Sequence, residues 1–278
     1  MARTIHLRSR NADFQHLEAL RRNREKRHRH GEFFVEGVRA ITQAVALGWS
    51  VRAFAHSSER PLSAWALDVL LRADADVHYT LPDAGMAELS ERNEPSELVA
   101  VIRMPGDDVT RLEPHADADA PLLVVACDRP SSPGNLGSLL RSVDALGGHG
   151  LIVVGHAVDV YDPEVIRAST GSFFAVPVIR MAGVPELLAW REGLRGRWSD
   201  VPIVGTDEHA PAEVSATDLA GPLILALGNE THGLSRGFLA ACTDTVQIPM
   251  TGTASSLNVA AAGSILLYEI GRQRRHQR

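Results

Sequence analysis

The chain has no run of about 18 uncharged apolar residues, and no apolar stretch follows its basic N-terminus, so neither a membrane span nor a secretory signal is expected. Cysteine is scarce: Cys127 and Cys242 each sit in an apolar run, and neither belongs to a CxxC or Cys/His cluster. They read as buried thiols in a reducing cytoplasm. Lysine is scarcer still, with Lys26 alone, and this bias toward arginine points to a GC-rich genome and to no particular function. There is no internal repeat and no extended low-complexity tract. A G-x-G-x-x-G loop is also missing, which excludes the usual pyrophosphate site of a dinucleotide enzyme. Asp128, Asp159, Asp162 and Asp207 have no recognised ligand spacing, so no metal is expected.

What is present suits two globular domains: 278 residues, 45% of them hydrophobic. The net charge of −6 would argue against a nucleic-acid partner if it were evenly spread. Residues 1–30 instead form a basic leader, with Arg22, Arg24, Lys26 and Arg27 at its densest point. Such a field can neutralise several phosphates; the alternative is a solvated leader with no partner. The segment MPGDDVTRLEPHADADAP reads as a linker, which places an N-terminal domain at 1–105, the linker at 106–120 and a C-terminal domain at 121–278.

The N-terminal part alternates helices and strands as a small α/β sandwich does, after one or two polar helices over 12–29. In the C-terminal part, PLLVVACD, LIVVG, FAVPVI, PIVGTD, LILALG and TVQIPM are six strand-like runs separated by helices. That is the pattern of a parallel, doubly wound α/β sheet, which binds ligands outside the carboxyl ends of its strands.

Three strand-end loops carry polar residues. DRPSSPGNLGSLLRS places Asn135 at a helix start, with Arg141 six residues on, nearly two turns along and close to the same face. In LGNETHGLS, Gly228 leaves room for a ligand against the backbone, beside Asn229 and Glu230. In IPMTGTASSLNVAAA, Ser256 and Asn258 enter a helix whose Ala260, Ala261, Ala262 and Gly263 require very close packing. Taken singly, these are an Asn N-cap, a surface arginine and a capped helix start. Together they fall along one edge of one sheet.

The three loops also resemble, in order and separation, the motifs of the SpoU (TrmH-like) branch of the SPOUT RNA methyltransferases, over roughly residues 120–272. FFVEGVRAI resembles the opening of the L30e-like RNA-binding domain that many members carry. NREKRHRHGEFFVEGVR and HAVDVYDPEVIRASTGS are similar to the avilamycin-resistance branch.

The resemblance implies a C-terminal domain tied in a deep trefoil knot, a homodimer that buries the last helix, and S-adenosylmethionine (AdoMet) as methyl donor. It implies ribose 2′-O-methylation of RNA, most simply 23S rRNA, with antibiotic resistance as one outcome. By the same analogy Thr206, Gly228, Asn229, Ile248, Met250 and Leu257 hold the cofactor. Arg141, Asn135, Glu230, Ser256 and Asn258 form the catalytic face, and Arg167 joins Arg22, Arg24, Lys26 and Arg27 on RNA. Arg141 is the family's proposed base, yet a guanidinium stays protonated in proteins, which leaves a phosphate clamp open as its role. The competing functions are a nucleotide-binding oxidoreductase, whose loop spacing is absent, a tRNA methyltransferase, and a non-catalytic RNA-binding protein.

Overall fold

The computed structural model describes residues 3–8, 10–90, 94–112, 121–198 and 200–276. The chain divides into two compact units, one of Met1–Gly106 with Asp159–Ala175, the other of Asp107–Val158 with Val176–Arg278.

In the first unit, strand β1 (Arg3–His6), helices α1 (Ala12–Arg22) and α2 (Arg24–His30), and strand β2 (Glu32–Glu36) lead into α3 (Val38–Ala46) and β3 (Val51–Ser57). Then come α4 (Ala64–Arg72), β4 (Val77–Leu81), α5 (Asp83–Leu89) and β5 (Leu98–Arg103). The sheet order is β1-β4-β3-β5-β2, with β5 antiparallel to both neighbours. The described residues of the leader form regular structure: β1 pairs in parallel with β4, and Asn11 and Asn23 cap α1 and α2.

Two arginines of that leader are structural. Arg21 donates to the carbonyls of Leu89 and Ser90. Arg27, 2% exposed, reaches Asp159 at 2.7 Å and Asp162 at 3.1 Å and donates to the carbonyls of Leu20 and Arg21. The expected RNA contact at Arg27 is thus corrected, because a buried guanidinium held by two carboxylates has nothing to offer a phosphate. Asp159–Ala175, with α7 (Pro163–Ser169) and α8 (Ser172–Ala175), is held on this unit by that ion pair and by Tyr161 and Phe173, whose rings lie 4.9 and 5.8 Å from that of Phe33.

The second unit starts in the expected linker. Leu112, in a short 3₁₀ turn, is buried in its core, whereas residues 113–120 lie outside the described set. Strands β6 (Leu123–Asp128), β7 (Gly150–Val154), β8 (Val178–Met181), β9 (Ile203–Thr206), β10 (Ala212–Glu213), β11 (Leu223–Leu227) and β12 (Asp244–Gln247) form one sheet in the order β10-β12-β9-β11-β6-β7-β8. Every pairing is parallel. The sheet thus gains β10, an edge strand of two residues, too short to read from sequence. β6, β7 and β11 are buried at every residue, the burial that helix cover on both faces produces. The helices are α6 (Pro133–Ala145), α9 (Val184–Gly193), α10 (Arg236–Ala241) and α11 (Val259–His276).

The α11–α6 contact explains part of the small-residue run. A Cβ on Gly263 would stand 2.5 Å from Leu139 Cδ1 and 3.0 Å from Leu227 Cδ1, so only glycine permits this approach. Ala260 is buried as expected, but Ala261 is exposed. At the far end of α11, Arg274 donates to the carbonyls of Pro121, Leu122 and Gly221, and burial pulls its pKa down to about 10.

Candidate active site

Because the strands of the second unit run in parallel, the ends of β9, β11, β6 and β12 share one edge. At the end of β6, buried Asp128 is forked by the Arg129 guanidinium (2.9 and 3.1 Å) and accepts the Ser235 N–H at 2.6 Å. Burial opposes its ionisation, but those bonds prevail and hold it below the usual carboxylate range. Arg129 adopts a left-handed backbone (φ 52°), which turns its carbonyl toward the Asn229 side-chain amide at 2.7 Å.

Helix α6 opens with Ser132 as N-cap and Pro133 in the first turn. The serine does the capping, accepting the Asn135 N–H at 3.3 Å, and this frees the Asn135 side chain. The β11 loop supplies the group that Asn135 needs. Glu230 accepts the Ser131 N–H (3.0 Å) and hydroxyl (2.8 Å) on one oxygen, and the Ser132 N–H (3.0 Å) and Asn135 Nδ2 (3.3 Å) on the other. Burial would raise its pKa, yet these donors outweigh it and lower the pKa below the usual value. Glu230 is therefore an ionised anchor and poorly suited to act as a base.

An acceptor-only Glu230 fixes the rest of the chain of amides. Asn135 must present Nδ2 to Glu230 and so turns Oδ1 to Asn258, whose Nδ2 donates at 2.8 Å. Asn258 Oδ1 is then left to cap α11, accepting from Ala260 and Ala261. Three expected catalytic residues thus form one hydrogen-bonded line, with a direction set by the carboxylate.

Arg141 is not part of it. Six residues of α-helix turn about 600°, which leaves Arg141 about 120° away from Asn135, so the expected shared face is corrected. Ser142 is the residue that stacks above Asn135, and it bonds Ser264 of α11 at 2.7 Å. Arg141 is exposed and makes no hydrogen bond or ion pair within the described residues. Ser256 is exposed too.

A cavity of about 560 Å³ opens at the ends of β9, β11 and β12. Its wall includes Thr206, Gly228, Asn229, Ile248, Met250 and Leu257, all six expected cofactor residues, together with Glu230 and Ser256. The size falls in the ~300–1,000 Å³ range of small-molecule sites. Some roles differ from expectation. A Cβ on Gly228 would lie 2.3 Å from the carbonyl carbon of Gly233, so this glycine makes room for its own loop, which folds back on it. The Thr206 hydroxyl is occupied by the Ala226 carbonyl. The apolar wall of Leu227, Leu239, Val246 and Leu266 was not anticipated, since nothing in a run of buried aliphatics marks which of them face a cavity. Ser131 and Ser132 were missed as well, although a serine before Pro-Gly is a legible N-cap signal. Among the described residues no group of His, Cys, Asp and Glu is arranged to hold a metal.

The chain matches the SpoU rRNA Methylase family over residues 122–268 and the SpoU L30e-like domain over residues 11–100. It is 49% identical over 267 residues to a 23S rRNA (uridine(2479)-2'-O)-methyltransferase of Streptomyces viridochromogenes, covering 96% of this chain and 91% of that one. The crystal structure of the SpoU methyltransferase AviRb from that organism, in complex with AdoMet, superposes with a TM-score of 0.90 at 47% identity over 96% of this chain and 99% of that chain. An AdoMet-bound rRNA methyltransferase from Sinorhizobium meliloti superposes with a TM-score of 0.82 at 26% identity, covering 98% of each chain.

Proposed function

The chain belongs to the SpoU rRNA methylase family, and from that premise we propose that it moves a methyl group from AdoMet to a ribose 2′-oxygen of 23S rRNA. The observation that carries this reading is the Glu230–Asn135–Asn258 line, anchored by a carboxylate that also lines the cavity.

Bound AdoMet supplies a methyl on a sulfonium, already a good leaving group. What remains for the protein is alignment, which is able to contribute roughly 7–11 kcal/mol. The 2′-oxygen forms its bond to the methyl carbon as the carbon–sulfur bond breaks, and the hydroxyl proton passes to water. Asn135 and Asn258 set the approach of the ribose. Arg141, exposed and permanently cationic, is suited to clamp an RNA phosphate and stabilise the developing alkoxide, and ill suited to take a proton.

The first unit is the RNA-binding half, an assignment supported by its match to the L30e-like domain. Arg24 and Arg167 are exposed there, Arg22 pairs with Glu18 at 3.1 Å on the surface, and Lys26 is half-buried. Arg167 and Arg39 share the wall of a cavity of about 330 Å³. Family membership also implies the trefoil knot, a homodimer and work in the cytoplasm. No helix among the described residues is long and apolar enough to cross a membrane. The exposed stripe of Ala261, Ile265 and Tyr268 along α11, with Leu257 just before it, is the face a second copy would cover. Tritiated-methyl transfer from AdoMet to ribosomal RNA, followed by mapping of the modified nucleotide, tests the whole reading. Absence of transfer to rRNA by folded, AdoMet-binding protein would refute it.

A further inference from the structure

Three carboxylates, Asp207, Glu208 and Glu230, lie on the wall of the strand-end cavity. Two are committed within the chain. Glu230 takes five donors, and Asp207 Oδ1 accepts the His209 N–H at 2.9 Å to close a turn. Among the described residues Glu208 makes only an ion-pair contact of 3.6 Å with His209, a side chain 86% exposed. Among the described residues it is therefore the one wall carboxylate that accepts no hydrogen bond.

Its position is built. The turn after β9 is tied to β12 by Asp207 N–H to the Val246 carbonyl (3.2 Å) and by Gln247 Nε2 to the Ala210 carbonyl (2.6 Å). β9 is separated from β6 by β11 alone. At a strand spacing of ~4.8 Å, the Glu208 turn stands about 10 Å along the edge from the loop that carries Asn135. The methyl must lie at the Asn135–Asn258 line, so Glu208 meets a part of the donor farther from the reacting carbon. The apolar wall of Leu239, Val246 and Leu266 suits a flat base. Between base and sulfonium stands the ribose, whose two vicinal hydroxyls match two carboxylate oxygens. An acidic residue at a strand end is the group that holds a ribose hydroxyl in dinucleotide folds.

We propose that Glu208 is the specificity residue for the donor's ribose, accepting hydrogen bonds from its 2′- and 3′-hydroxyls. The proposal rests on the reading of this cavity as the AdoMet site. A carboxylate there also repels adenosine derivatives phosphorylated on the ribose, and so excludes abundant nucleotides.

The test is calorimetric titration of wild type, Glu208→Ala and Glu208→Gln with S-adenosylhomocysteine and with 5′-methylthioadenosine, which keeps the base and ribose but lacks the amino acid. Glu208→Ala is expected to weaken both ligands by a similar factor, about 10- to 100-fold. Glu208→Gln should do so less, and the unliganded melting temperature should not move. Loss confined to S-adenosylhomocysteine would put the carboxylate on the amino acid and overturn the proposal, as would unchanged binding of both. Wild-type protein that binds neither ligand would overturn the AdoMet reading itself, and this proposal with it.

Discussion

Replacing Glu230 by glutamine keeps the shape of the side chain and removes its acceptor-only character. The carboxylate serves three donors on one oxygen and two on the other, and an amide can serve only one of these sets. If its NH₂ faces Ser131, it meets that residue's N–H. If it faces Asn135, the asparagine must flip, and its Nδ2 then opposes Asn258 Nδ2. Either arrangement forfeits at least one charge-assisted hydrogen bond, about 1.5–3 kcal/mol. At 1.36 kcal/mol per decade, kcat for methyl transfer should fall roughly 10- to 100-fold. The assay is single-turnover transfer from tritiated AdoMet, with AdoMet affinity measured in parallel and expected within about threefold of wild type. Because Glu230 acts through Asn135, the double variant Glu230→Gln/Asn135→Ala should lose little more than the worse single one. A kcat near the wild-type value, or losses that multiply in the double variant, would refute the idea that the carboxylate works by orienting the amides.

Arg141→Ala should reduce transfer by about 100-fold or more while AdoMet binding stays intact, as loss of a charge that stabilises the alkoxide predicts; binding lost along with transfer would place Arg141 in the cofactor site instead. Arg27→Met should cost the first unit about 3–5 kcal/mol in urea unfolding, since it strands Asp159 in a buried setting. Weakened RNA binding without that destabilisation would return Arg27 to the phosphate contacts. Ile265→Asp, on the exposed face of α11, should leave monomers in sedimentation velocity under conditions where the wild type is a dimer; an unchanged distribution would move the interface elsewhere. Acid should destabilise the second unit. Asp128 and Glu230 have folded pKa values below their unfolded ones, so the stability they add is present above about pH 4 and drains as pH falls through the folded values. Near-UV circular dichroism from pH 6 to 2 should show a shallower acid dependence for Glu230→Gln than for wild type.

Strand and helix order in both halves was readable from hydrophobic period and from Gly, Pro and Ser punctuation, because these local signals agree with the final packing. The polar strand-end loops were readable too, since parallel strands carry them to one edge. β1 was hidden in a basic leader whose alternation is too short to see, and its pairing with β4 is a contact about 70 positions distant along the chain. The helical phase of Arg141 was misjudged even though arithmetic alone would have corrected it.

Hydrophobic pattern and loop composition were enough to establish the α/β class and the polar loops at the strand ends. How those residues are used had to wait for tertiary structure. Arg27 is indistinguishable from Arg24 in sequence, and only folding brings Asp159 and Asp162 to one and leaves the other exposed. Gly228 makes room for its own loop, which folds back on it. Glu230 becomes an anchor because four donors converge on it from elements about 100 residues away, and no local pattern records a convergence of that kind.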